Sequence, residues 1–423
     1  MSAVKRLRNS WILWVTTIVL ACFSNAVAQA RYKVTDLGSE GNDDLGCAMS
    51  VNNEGWTEIM AQNVEAGQVD NIFGKLLSGR DLIDIDGFKF DLGTLGGQNS
   101  SSNWGEINDF AQVVGFSETN VPDPNGEDVC GFGTHLTCQP FLWQFFHMSA
   151  LPLLGGNNGQ ASAINIRGQI VGFSETATVD SGCPPNLIRT PVLWKNGKAH
   201  PVPFPTFGKD PDGDAFAIND LGQAAGSSGN CSGSVLHAVS WENNSVSQLP
   251  DFATGAVAYK INNQGQIVGT VGSADNTTQY GALWQNGVLT NLGLLPGDFG
   301  GLASGINNQG QIVGSNFDSN FNWSHGFLWQ DDVMTDINTL IPASANLFVT
   351  MANQINDRGQ ISGMAIVTSG PDMGNIHAFL ATPVHQSMGK SVAEVVPTRP
   401  ESNMPANAGE QHLQRFGLIH LGR

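Results

Sequence analysis

Four groups of residues have types and spacings that could do chemistry. Asp210-Pro211-Asp212-Gly213-Asp214 sets three carboxylates at alternate positions, as a calcium loop begins, and Asp123-Pro124-Asn125-Gly126-Glu127-Asp128 is a looser version. Calcium takes six to eight oxygen ligands and neither segment completes the EF-hand spacing. Asp, Pro and Gly are also ordinary turn residues. Turns are therefore expected at both places, with calcium as the lesser alternative at each, its named candidates being Asp210, Asp212 and Asp214, and no other cofactor or metal. His237, His325 and His377 each precede a similar strand. Three such histidines on separate repeats suit strand-end hydrogen bonds better than one metal site. Trp104 and Trp323 stand out of register with five other tryptophans, and they are the candidates for stacking on a ligand. Trp323 is expected to lie exposed in a loop. No nucleophile–base pair, close carboxylate pair or phosphate-cradling glycine loop with a following Lys emerges. Ser117-Glu118 and Ser174-Glu175 are copies of one repeated segment and read as structural, so no catalytic residue is assigned.

These residues hang on a repeat. Ile164-Asn165-Ile166-Arg167-Gly168-Gln169-Ile170-Val171-Gly172 recurs closely at Ile261, Ile306 and Ile355, and more loosely at Val51, Ile107 and Ile218. An apolar residue and Asn end one strand, and the Asn side chain can bond backbone two residues on. Gly supplies the positive φ that a type I turn with a bulge needs. Ala111 replaces that Gly in the second copy, a strain of about 1 kcal/mol. A second hairpin follows, with strands ending in Trp143, Trp194, Trp241, Trp284 and Trp329. Fixed at one strand position, these tryptophans are expected to pack between sheets. Four short strands per unit, with the motif Asn recurring every 43 to 57 residues, mark a β-propeller, all-β, with seven four-stranded blades.

Four residues before the motif Asn stands Ala48, Ala161, Ala215, Ala258, Ala303 or Ala352. Small side chains belong on the strand nearest a propeller axis, where neighbouring sheets crowd. Trp104 is the exception by this count. In the first copy Trp56-Thr57-Glu58-Ile59 stands for Gln-Ile-Val-Gly, and Ile72-Phe73-Gly74 is taken for the later Phe-Leu-Trp strand. Tyr32 to Gly38 reads as a last strand and Phe379 to Val384 as a third, so the N-terminal strand is expected to complete the final blade.

The runs His377-Ala378-Phe379, His325-Gly326-Phe327 and His237-Ala238-Val239 carry a resemblance. Over roughly residues 32–384 the pattern resembles the HAF-repeat family of bacterial extracellular proteins. The resemblance implies an extracellular repeat protein and brings no catalytic residues with it.

Residues 1–30 read as a signal peptide: Lys5, Arg6 and Arg8, an apolar core from Trp11 to Phe23, and Ala26-Val27-Ala28 as the cleavage site. Secretion or export to the periplasm is expected, and Cys22 lies too deep in the apolar core to make a lipoprotein the better reading. Without the three cations of that segment, and with no anion lost, the net charge falls from −18 to −21. Such acidity argues against nucleic acid and anionic membranes as partners. The apolar run is too short for a membrane span. Residues 385–423, polar and with Pro397, Pro400 and Pro405, read as a disordered tail.

Five cysteines would remain after cleavage. Cys130 and Cys138 share one loop. Cys183 and Cys231 lie in equivalent loops of successive repeats, and Cys47 sits on an inner strand. Bridges Cys130–Cys138 and Cys183–Cys231 are expected, with Cys47 reduced. The loops that carry them are the longest insertions and lie on one face, where binding is expected. The reading is a secreted, non-enzymatic binding module for a carbohydrate, peptide or envelope partner. Its rivals are a glycan-active enzyme with its site in the funnel near Trp104, and a purely structural envelope component.

Overall fold

A computed structural model describes residues 31–39, 45–62, 79–102, 106–195, 200–252, 255–275, 277–384 and 399–400. Residues 1–30, read as the signal peptide, lie outside them, as do Trp104 and most of the C-terminal tail. The described residues are all-β apart from two short 3-10 turns, Ile337–Thr339 and Ala343–Ala345. None of their helices is long and apolar enough to cross a membrane.

The second to sixth repeats each form a four-stranded antiparallel sheet, and the sheets pack in chain order into a propeller-like fold. The third repeat is typical, with strands Gly159–Ile164, Ile170–Val179, Leu187–Trp194 and Val202–Pro203. An eight-stranded sheet holds the first and seventh repeats. Leu347–Ile355, Ile361–Val367 and Ile376–Val384 meet Leu45–Val51 through a single parallel bridge, Leu45 to Ile376. Arg31–Gly38 lies antiparallel along Ile376–Val384, with Tyr32 opposite Pro383 and Asp36 opposite Phe379.

The motif explains each hairpin locally. In every complete copy the register shifts just after the conserved Ala, as between Ala161 and Ala163 and between Ala258 and Lys260. This bulge presses the first strand's backbone onto the Gly of Gln-Ile-Val-Gly. A Cβ on Gly172 would lie 2.0 Å from Gln160 O, and one on Gly269 2.0 Å from Val257 O. Gly is thus required by close backbone approach. At the turn itself Ala111 adopts φ 55°, where the other complete copies place Gly at φ 69° to 88°.

Two alignments change. The first repeat's third strand is Gly79–Ile85, in which Leu82-Ile83-Asp84 takes the place of Phe-Leu-Trp. Ile72-Phe73-Gly74 lies outside the described residues. Composition misled here because Asp84 replaces the strand-end Trp. In the second repeat, Ser100 opposite Ser117 and Ser101 opposite Phe116 bring Ser102 onto Gly115. Ser102 therefore fills the slot that Ala161 fills against Gly172. Counting back from Asn108 lands on Trp104 because two more residues separate Ser102 from Asn108 than separate Ala161 from Asn165. A small residue occupies the inner position in all seven repeats.

The core is built between sheets. Val171 and Leu193 of the third repeat pack with Ala215, Val239 and Trp241 of the fourth. Trp194, Trp241 and Trp284 are buried, and each indole N–H donates to a proline carbonyl of the preceding connection: Pro152 (2.8 Å), Pro205 (2.8 Å) and Pro250 (2.7 Å). The repeat tryptophans staple neighbouring sheets.

Candidate functional site

The motif turns converge on one side of the molecule, and their asparagines are joined. Asn262 shows the pattern. Its Oδ1 accepts from Gln264 N (3.1 Å) and Gln266 N (2.9 Å), and its Nδ2 donates to Gln266 Oε1 (2.7 Å) and to Asn307 O (3.0 Å). Every hydrogen-bonding capacity of the amide is used. The donation onward repeats from Asn52 to Asn108, Asn108 to Asn165, Asn165 to Asn219, Asn219 to Asn262 and Asn307 to Asn356. Asn356 then donates to Asn52 O at 2.7 Å, returning the series to its first member. Asp cannot replace Asn here, because an ionised carboxylate has no proton to give.

The following residue makes an outer series. Asn308 N donates to Asp357 Oδ1, Asp357 N to Asn53 Oδ1, and Asn53 N to Asp109 Oδ1, at 2.8 to 2.9 Å. The series breaks at Ile166, which has no acceptor and is 47% exposed. Inside lies a cavity of about 160 Å³, lined by Asn, Asp and Ile of the turns with Glu106 and Gln354. Among the described residues its lining holds no Ser, Thr, Cys, His or Lys. These residues offer hydrogen bonds and negative charge.

Two residues before the motif Asn, one repeat carries Glu106 and another Lys260. Lys260 Nζ meets Glu106 Oε1 at 2.5 Å although 154 residues separate them, and Gln354 reaches the same oxygen at 3.5 Å. Sequence reasoning passed over this pair. The signal was present as opposite charges at one repeat position that is otherwise uncharged.

The opposite side carries the longer connections. Cys130–Cys138 is bridged with its Cα atoms 5.3 Å apart, and Cys183–Cys231 with its Cα atoms 6.2 Å apart; Cys47 is free and buried. Burial pushes the Cys47 thiol up to about 12, so it stays neutral and inert. The second bridge ties the third repeat's loop to the fourth's. Leu187 N donates to Glu127 Oε1 at 3.3 Å, tying the third repeat's loop to the second's. Arg189 lies over the Phe173 ring, 5.1 Å from its centre. Beneath these loops Asn158 Nδ2 reaches Asp123 Oδ2 (2.9 Å) and Glu175 Oε2 (3.0 Å). Burial, with Glu127 nearby, raises the Glu175 carboxyl to about 7. Ser117 and Ser174 accept from Leu95 N and Leu154 N, so the repeated Ser-Glu pairs hold connections in place.

The remaining candidates scatter. Trp323 is not an exposed loop residue. It opens the strand Trp323–Gln330, is fully buried, and packs edge-on to Phe317 with ring centres 5.8 Å apart. The aromatic residues Phe299, Phe317 and Phe321 around it made burial cheaper than exposure. Asp210, Asp212 and Asp214 do not converge on a common point. Asp210 Oδ2 takes Ser228 Oγ (2.8 Å) and His237 Nδ1 (2.9 Å), while Asp212 Oδ1 accepts from Arg189 N (2.9 Å). Asp123 Oδ1 caps its own turn, accepting from Asn125 N and Glu127 N. His325 and His377 likewise meet Asp298 and Asp36 at 2.9 to 3.1 Å. Among the described residues the one group of three His, Cys or acidic ligands is Asp180 with Cys183 and Cys231. Both of those sulfurs are spent in the bridge.

The geometry defines an all-β, propeller-like protein with a polar hollow on one side and locked loops on the other. No protein-family model matches the chain, and no curated protein matches it. Among solved structures it is similar to a streptogramin B lyase at 6% identity, covering 84% of this chain and 98% of that one, with a TM-score of 0.46. A gluconolactonase from Xanthomonas campestris is 9% identical over 85% and 92% of the two chains, with a TM-score of 0.38. A protein of unknown function from Dyadobacter fermentans is 8% identical over 83% and 99%, with a TM-score of 0.41. Likenesses this distant carry no argument about activity.

Proposed function

We propose that the chain is an exported, closed seven-bladed propeller of the HAF-repeat type that acts as a non-enzymatic binding module. The observation that carries this reading is the preorganised face of the second to fourth repeats. There, two disulfides and the Glu127–Leu187 hydrogen bond hold three successive loops as one surface. Loops fixed in advance lose little entropy when a ligand arrives, which favours binding. Two disulfides suit an oxidising compartment outside the cytoplasm. The return of the asparagine series to Asn52, and the strand Arg31–Gly38 beside Ile376–Val384, support seven blades and closure by the N-terminal strand. The ligand class is an extracellular carbohydrate, a peptide or an envelope protein. A glycan array and a peptide array with the mature protein, before and after reduction, test this. Saturable binding that reduction weakens, without turnover of the ligand, is the expected result. Turnover would replace the reading by an enzyme, and silence on both arrays by a structural component.

A further inference from the structure

Glu58 and Asp81 are fully buried, and no hydrogen bond of normal geometry reaches their four carboxylate oxygens. The repeat supplies an internal control. By register, the Glu58 position is held elsewhere by Val114, Val171, Ala225, Val268, Val313 and Ser362. The Asp81 position, two residues before the partner of Glu58, is Pro, Pro, Ala, Gly, Gly and Ala in the same order. Two acids have thus entered one boundary, where the other repeats put small or apolar groups. The facing strand changes with them, since Ser102 stands where other repeats carry Ala. Its buried hydroxyl lies beside both carboxyls, and its backbone N–H faces Asp81. Ser50, directly opposite Glu58 in the sheet, presents a second buried hydroxyl, itself without a partner. Burying two acids without compensation is among the costliest arrangements a core can hold. Three polar replacements meeting at one point imply a common ligand.

We propose that Glu58, Asp81 and Ser102 form a buried site for a hard divalent cation, calcium or magnesium, which joins the first repeat to the second. The donors are all oxygen, the set such ions select, and two carboxylates neutralise the charge of one ion. No described basic side chain takes that role, since Arg80 turns outward to Asp91 at 2.9 Å. The other titratable groups facing the site are Cys47, against Glu58, and Asp91, against Asp81. Cys47 is neutral, and Asp91 adds negative charge that favours a cation. Protons are the competing ligand, because burial raises both carboxyls, Asp81 to about 8.

Protons and a cation give opposite pH dependence. With protons alone, the folded state holds protons that the unfolded chain releases, so stability falls as pH rises from about 4 to about 8. A cation displaces those protons and should stabilise most where they are fewest. The test uses chelator-treated mature protein, melted at about pH 5 and about pH 8 with no addition, with calcium or with magnesium. Calorimetry then counts the bound ions. Expected is one ion per chain and a rise of several degrees at the higher pH that nearly vanishes at the lower. The double variant Glu58→Val with Asp81→Ala restores residues the other repeats use. It should fold, lose the bound ion and lose the pH-dependent shift. If it does not fold, Glu58→Gln read by calorimetry should lose the ion. No shift and no ion in the wild type, or the same ion retained by either variant, would overturn the proposal.

Discussion

Replacing Asn262 by Asp tests whether the motif asparagine joins neighbouring repeats or merely shapes its own turn. Aspartate keeps both accepted bonds, from Gln264 N and Gln266 N, so a residue needed only for the turn would tolerate it. It loses both donated bonds, to Gln266 Oε1 and Asn307 O, and sets carboxylate oxygen against two acceptors 2.7 and 3.0 Å away. Asn262 is 4% exposed, so water cannot readily replace what is lost. Two lost bonds and the unanswered acceptors amount to about 3 kcal/mol. Asn52 is the matched control, equally buried, but with Trp56 in the Gln position. It donates only to Asn108 O, so Asn52→Asp should cost about 1 kcal/mol less. Urea unfolding of the two variants and the parent, compared by midpoint at constant slope, measures the difference. The difference isolates the bond to Gln266, and the cost left in Asn52→Asp is that of the inter-repeat bond; an Asn52→Asp or Asn262→Asp protein as stable as its parent would refute the inter-repeat role.

Other outcomes follow from the same geometry. Ala111→Gly should raise stability by about 1 kcal/mol by relieving a positive φ, whereas Gly172→Ala should be severely destabilising because its Cβ would overlap Gln160 O; thermal melts of the two should move in opposite directions. Deleting residues 31–38 removes the partner of Ile376–Val384 and the buried ring of Tyr32, and a melting temperature within a degree or two of the parent would sink the closure reading. The hydrogen bond to Asp298 raises the His325 pKa, so this pair stabilises fully below the ordinary histidine range and its contribution fades as pH rises through the raised value; His325→Gln should remove that part of the stability–pH profile. Peptide mapping without reductant should recover Cys130 with Cys138, Cys183 with Cys231, and Cys47 as a free thiol that is alkylated only after unfolding.

The repeated sequence determined the strands, the turn glycines, the small residue of each inner strand and the order of the sheets. These answer to local backbone demands, such as a positive φ at Gly168 or a two-residue alternation, and such demands recur wherever the residues do. It also brought the cysteine pairs into view, because equivalent loops of adjacent repeats must lie side by side. Other features were decided only in three dimensions. Ser102 takes the inner slot, since that slot is set by pairing across the sheet and not by distance from Asn108. Trp323 is buried because it joins a cluster drawn from distant parts of the chain, which also holds Leu45 and Cys47 of the first repeat. The meeting of Lys260 with Glu106, and of Glu58 with Asp81 and Ser102, depends on which repeats face one another. Charge and burial are properties of a surrounding shell, and that shell exists only once the sheets have packed.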